Sequence, residues 1–200
     1  MRYSESHKQE TRNKVLKAAA AAVRAKGPDG LAVADVMAEA GLTHGGFYAH
    51  FPSKEALVVA ALEEAFDQSR RRFARLTQGM ANSEALAAFV DAYVSMEHRA
   101  RREMGCPITA LSSDLPRQPQ AVRDAFDTGV RAMIGRLAAW LADDVAPVQR
   151  EGLAVSLLAE MAGAVTLSRA LSDDQLAEQL LSECRRRIKA RMGLTEDKPQ

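Results

Sequence analysis

The sequence predicts an all-α chain, on three observations. Ala, Leu, Arg and Glu abound while aromatics make up only 5% of the 200 residues, a balance that favours helix over strand. No run of β-branched residues alternates with polar ones as a half-buried strand requires. Apolar residues recur instead at steps of three and four, in stretches punctuated by Gly and Pro. The 47% hydrophobic content is enough to bury a substantial core in one or two domains.

The first helix is expected from about His7 to Lys26, with Val15, Ala18, Ala19, Ala22 and Val23 as its buried stripe. Gly27-Pro28-Asp29-Gly30 stops it. A second, short helix places Val33, Val36, Met37 and Ala40 on one face and runs into Gly41, which can take the left-handed conformation that turns the chain. Thr43 is expected to cap a third helix, its hydroxyl accepting from orphaned backbone N–H groups. That helix ends at Pro52, buries Phe47 and Phe51, and presents His44, Gly45, Gly46, Tyr48 and His50. Ser53 caps a longer helix with Leu62, Phe66, Ser69, Phe73 and Leu76 in a row. Gly79 ends it, and Ser83 caps the next, whose stripe is Leu86, Phe89, Val90, Tyr93 and Met96. A short helix is expected from Pro107 to Ser113, then a break over Leu115-Pro116-Arg117-Gln118-Pro119. Val122, Phe126, Val130, Met133, Leu137 and Trp140 mark a long helix. Pro147 fits the first turn of another, carrying Leu153, Leu157, Met161 and Ala164 to about Leu171. Ser172-Asp173-Asp174-Gln175 matches a capping box for the last, with Leu176, Leu180, Cys184 and Ile188. The total is about nine helices.

The pair joined at Gly41 has the layout of a helix-turn-helix, whose second helix enters a DNA major groove. The first 54 residues carry eight Lys or Arg against five Asp or Glu, a mild excess suited to a few phosphate contacts. Thr43 and the amides at its helix start are candidates for phosphate, His44 for a base edge, and Gly45 and Gly46 for close approach. Tyr48 and His50 either contact phosphate (or, for Tyr48, a base) or complete the small domain's core. Lys54 would pin the backbone from the next helix. Arg70, Arg71, Arg72 and Arg75 are either a solvated face matched to the helix dipole or a second DNA contact.

Ala40-Gly41-Leu42-Thr43 through Phe51-Pro52-Ser53-Lys54-Glu55 closely resembles the signature of the TetR family of bacterial transcriptional regulators. The match covers about residues 9 to 62; beyond residue 65 it is one of length and helical pattern. Ala32 departs from the family's usual Ser or Thr cap, a loss of about 1 kcal/mol of helix stability. The resemblance implies a three-helix DNA-binding domain over residues 1–53 and a larger helical effector-binding and dimerisation domain over 54–193. It also implies a homodimer on a palindromic operator, released by a small effector through the helix shared at Lys54. A disordered tail is expected over residues 194–200.

Candidate effector-lining residues are Phe66, Tyr93, Met96, Cys106, Met133 and Trp140, which are otherwise ordinary core. Their apolar, polarisable character points to a hydrophobic or aromatic molecule. Cys106, between Gly105 and Pro107 at an expected helix start, is either a reactive thiol sensing oxidants or electrophiles or a small packed residue. Ala159, Ala162, Gly163 and Ala164 permit close helix approach and, with Leu176, Leu180 and Leu181, suit a dimer bundle or packing within one subunit. No cofactor is expected, and His98 with Cys106 lacks the ligand count of a metal site. The sequence carries no phosphate loop or Ser-His-Asp arrangement, and Glu63-Glu64 and Asp143-Asp144 read as solvated faces, so an enzyme is the alternative alongside a dimeric adaptor that binds no DNA. No segment is expected to approach the apolar length needed to cross a bilayer, and the polar start is not a signal peptide, so a cytoplasmic chain is expected.

Overall fold

The computed structural model describes residues 5–141 and 145–194. Asp143 and Asp144, and the expected tail from Thr195 onward, lie outside the described residues. Nine α-helices and three 3-10 helices make up the described elements, with no strand among them. The α-helices are α1 (Glu5–Lys26), α2 (Val33–Glu39), α3 (Lys54–Leu76), α4 (Asn82–Tyr93), α5 (Met96–Ala100), α6 (Pro107–Leu111), α7 (Gln120–Trp140), α8 (Pro147–Ala170) and α9 (Asp174–Arg191). The 3-10 helices are His44–Ala49, Arg102–Met104 and Leu115–Arg117.

The chain divides into two compact units, Met1–Ser69 with Arg102–Gly129, and Arg70–Arg101 with Val130–Gln200. The division falls inside α3 and inside α7. In the first unit Val15, Ala19, Val36, Met37, Phe47 and Leu57 form one core, which Leu111, Leu115 and Val122 of the later segment join. Arg24, only 1% exposed, is held inside this unit. Its Nε donates to the Glu103 carbonyl at 2.5 Å, Nη1 to the Ala65 carbonyl at 3.3 Å, and Nη2 to Gln68 Oε1 at 2.8 Å. Burial pushes this guanidinium down to about 10, against the opposing fields of Cys106, Glu103 and Glu64. The arginine remains charged at neutral pH and ties α1, α3 and the 3-10 helix Arg102–Met104 together.

In the second unit Phe89 is the hub of an aromatic cluster. Its ring centroid lies 4.5 Å from that of Phe73 and 5.3 Å from those of Tyr93 and Trp140. The helix expected to run through Met96 stops at Tyr93, a correction with a local cause. Val94 leaves the helical region at φ −93° and ψ 68°, and Ser95 starts α5 by accepting from the His98 N–H at 3.1 Å. The carbonyl that Val94 frees is taken by Arg185 Nη1 at 2.8 Å. The α5 and α8 helices then cap each other. Arg99 Nε and Nη2 donate to the carbonyls of Ser168 and Leu171, each at 2.9 Å. Arg169 Nη2 donates in return to the His98 carbonyl at 2.7 Å. These pairings bring side-chain donors to the carbonyls at the two helix ends, where the backbone ladder runs out.

Two caps differ from expectation. Asp173, not Ser172, caps α9, its Oδ1 accepting from the Gln175 and Leu176 N–H groups at 2.8 and 3.1 Å. Ahead of α4 the Glu84 carboxylate accepts from the Ala81 N–H at 3.1 Å, and Ser83 falls inside the helix. Ser53 does cap α3, accepting from the Ala56 N–H at 3.0 Å. The expectation that no segment approaches membrane-spanning length is corrected by α8, whose best window has a mean hydropathy of 1.3. Arg150, Glu151 and Arg169 lie near the ends of α8, and Glu160 alone interrupts its apolar middle. That middle supplies Ala154, Leu157, Leu158, Met161 and Val165 to the unit's core, with α9 packed alongside.

Candidate nucleic-acid interface

The turn that builds the interface is set by Gly41. Its φ of +75° is a conformation that side-chain-bearing residues adopt only with strain. It allows the Leu42 N–H to reach the Met37 carbonyl at 2.9 Å and the Gly41 N–H to reach Ala38 at 3.0 Å. This pair of bonds is the Schellman closure of a helix end. At the other end of α2, Ala32 provides no side-chain cap, as its residue type dictates.

Beyond the turn, Thr43 adopts the extended backbone of an N-cap (φ −80°, ψ 149°), yet its hydroxyl makes no cap bond. That corrects the expected role of this side chain. The helix it opens is also not α-helical: His44–Ala49 is a 3-10 helix. Two successive glycines lower the helix propensity of a six-residue segment, and a short, tight 3-10 form is the common outcome. Phe47 and Phe51, each 2% exposed, anchor it from below, their rings stacked at 5.9 Å.

The outer face carries the residues the sequence singles out. Thr43, His44 and Gly45 are exposed, and Tyr48 is 71% exposed with its ring set edge-on to Phe47 at 5.1 Å. Tyr48 is thus no core residue. A Cβ at Gly45 would meet nothing within 4 Å, and one at Gly46 would meet only Met37 Cε at 3.8 Å. Packing within the unit therefore does not require glycine at either place.

His50 is half-buried, and its Nδ1 is buried with no hydrogen-bond partner among the described residues. Burial first, then the nearby charges of Lys8 and Arg12, hold this imidazole below its ordinary value. Arg12 lies over the Phe51 ring at 5.0 Å. Lys8 and Arg12 thus flank the face from α1, and the sequence reading missed them. Their alignment with His50 depends on packing across some forty residues; the only local hint is a basic run at the start of α1. Lys54 is exposed, and its Nζ donates to the Asp29 carbonyl at 3.2 Å, which ties α3 to the turn after α1.

The candidate effector residues divide between the two units. Phe66 and Cys106 belong to the first unit, while Tyr93, Met96, Met133 and Trp140 belong to the second. Phe66 packs edge-on to Phe126 at 5.8 Å and against Gly129, where a methyl group would overlap its ring. Tyr93 and Trp140 share the Phe89 cluster, and Met96 sits apart from it in sequence on α5. Cys106 is fully buried ahead of α6, its carbonyl accepting from Thr109 Oγ1 at 3.0 Å. Among the described residues no group of three or more His, Cys, Asp or Glu is placed to hold a metal ion. Of the small residues on α8, Ala159 and Gly163 are exposed and Ala164 is buried; Leu176 of α9 is exposed and Leu181 buried.

Comparison with known proteins matches residues 15–61 to bacterial regulatory proteins of the tetR family. Residues 82–183 match the tetracyclin repressor-like C-terminal domain. An uncharacterised HTH-type transcriptional regulator of Mycobacterium tuberculosis is 27% identical over 179 residues, covering 81% of this chain and 86% of that protein. The HTH-type regulator CymR of Pseudomonas putida is 39% identical over 71 residues, 34% of this chain and 35% of its own. Among solved structures, a TetR transcriptional regulator from Chloroflexus aurantiacus aligns with a TM-score of 0.75 at 27% identity, over 92% of this chain and 95% of its own. The reduced form of Escherichia coli NemR shares the fold, with a TM-score of 0.77 at 21% identity over 90% and 96%.

Proposed function

The chain belongs to the TetR family of bacterial regulatory proteins and is a transcriptional regulator, and we propose that it represses by binding a palindromic operator as a homodimer until a small effector releases it. The observation that carries this reading is the exposed face of His44–Ala49. It offers an uncapped Thr43 hydroxyl, a projecting Tyr48 and a glycine whose side chain the fold itself has room for. A bare backbone kept where a Cβ would fit suits close approach to an outside surface, and a groove wall is such a surface. Thr43 and the first amides meet phosphate, His44 a base edge, Gly45 and Gly46 the groove floor, and Tyr48 and Lys54 the backbone. His50 packs behind this face, while Lys8 and Arg12 add charge on its flank.

One short helix reads only a few base pairs, so useful specificity needs a second copy about 34 Å away. The exposed α8 stripe of Gly152, Val155, Ala159, Gly163 and Leu167, with Leu176 of α9, is narrow and apolar enough for a close two-fold bundle. Residues 1–53 are assigned to operator binding and 54–193 to dimerisation and effector response, in the cytoplasm where the operator lies. A hydrophobic effector fits the aromatic second unit; full burial of Cys106 favours a packed thiol over an exposed electrophile sensor. The family is one of regulators and not enzymes, which leaves the adaptor as the other reading.

Selection of operators from random duplexes tests the proposal. The expected result is a palindrome with half-sites about one helical turn apart, bound with a steep inverse dependence on salt. Recovery of no common sequence from folded dimer would remove the operator and leave the adaptor.

A further inference from the structure

The second unit holds a cavity of about 330 Å³ between the start of α4, the end of α7, the first turns of α8 and the chain leaving α9. Leu86, Trp140, Leu153 and Met192 give it apolar walls, and Ser83 and Arg191 supply polar groups. Neither Phe66 nor Cys106 is among the lining residues. Its volume falls at the small end of ligand sites and suits a body of roughly ten to fifteen non-hydrogen atoms.

Two features say what such a ligand carries. Trp140 is 8% exposed, and its indole N–H donates to no group among the described residues. The N–H is not among the buried unpartnered groups, so it stays accessible, and as a pure donor it can serve an acceptor that a ligand brings. Arg191 is the only charged lining residue among those described. One of its Nη groups donates to Glu160, which leaves further donors of the guanidinium fork available. Arg136, over the Trp140 ring at 6.0 Å, adds a second positive charge nearby.

We propose that this cavity binds an amphipathic carboxylate, its hydrocarbon or aromatic body against Leu86, Trp140 and Leu153 and its carboxylate toward the indole N–H and Arg191. The site rests on the effector reading only in being offered as the place where release begins; binding there is a separate matter.

Trp140 is the only tryptophan of the chain, so its emission reports the cavity without a label. Titrating the full chain with decanoate or 4-phenylbutyrate is expected to change that emission saturably, while decanol, which lacks the charge, binds about tenfold more weakly or worse. Arg191→Gln should weaken decanoate by about tenfold with helicity unchanged, and Arg191→Lys should restore part of the loss. Leu153→Phe, which fills the cavity, should remove the response. No saturable response to either carboxylate overturns the proposal, as does equal binding of decanoate and decanol, or an unaltered Arg191→Gln. Operator affinity measured with decanoate present separates the two claims. Saturable binding with unchanged operator affinity upholds the site and removes its role in release.

Discussion

The two compact units hold short helices by opposite means. In the first, α2 and the helix His44–Ala49 are closed by a glycine turn at Gly41 and stapled to the core by Phe47 and Phe51, all within a few residues. In the second, the five-residue α5 is held by Arg99 and Arg169, which reach carbonyls some seventy positions away. The local device leaves the outer face of its helix bare and free for a partner. The distant one consumes its polar groups in holding the fold. One unit is therefore built to present a surface and the other to keep a framework in register.

The largest effect is expected at Arg99. Arg99→Ala removes donors from the carbonyls of Ser168 and Leu171 and a partner from Asp174, and unfolding free energy should fall by about 4 kcal/mol. Denaturant unfolding measures it, and Arg99→Lys should recover little because an ammonium lacks the fork. Unchanged stability would mean that α5 is held by apolar packing alone.

His98 sharpens the same contrast through pH. It is 2% exposed, its Nδ1–H donates to the Tyr93 carbonyl at 2.7 Å, and burial, with smaller effects from Arg169 and Arg72, pushes its pKa to about 4. The unfolded chain takes up this proton near pH 6.5 and the folded chain does not, so stability is lost as pH falls from 6.5 toward 4. The loss is of the order of 3 kcal/mol. His98→Asn, which cannot titrate, should flatten that part of the stability profile; an unchanged slope would place the titration elsewhere.

In the first unit, Gly129→Ala pushes a methyl into the Phe66 ring. Despite the better helix propensity of Ala, stability should fall by about 2 kcal/mol, with Phe66→Leu restoring part of it in the double variant. Gly41→Ala should cost about 1 kcal/mol and weaken operator binding as well, because the angle of the following helix depends on that turn. If Gly41→Ala altered stability but not binding, the turn would be no part of the reading head.

These devices differ equally in how far a sequence reveals them. Gly41, Ser53, Pro147 and the stripes of α1 and α7 follow from rules acting over one or two turns, and each stands where those rules put it. The caps that moved, from Ser172 to Asp173 and from Ser83 to a Glu84–Ala81 pairing, moved by only one or two positions. The break at Val94 escaped because Met96 continues the apolar spacing of α4, and the carbonyl freed there is satisfied from Arg185, far along the chain. At the interface, Thr43, His44, Gly45 and Tyr48 were legible as an exposed set, but the 3-10 form was hidden by an apolar pattern compatible with either helix. Lys8, Arg12 and the buried Arg24 were not legible, since basic residues on an amphipathic helix ordinarily face water.

Whether the face His44–Ala49 reads DNA is tested most directly by titrating the selected palindrome against wild type and Thr43→Ala/Tyr48→Ala. The double variant is expected to keep its helicity and dimerisation and to lose sequence-selective binding, leaving only weak, salt-sensitive retention. Undiminished affinity and selectivity in that variant would contradict the assignment of this helix as the reading head.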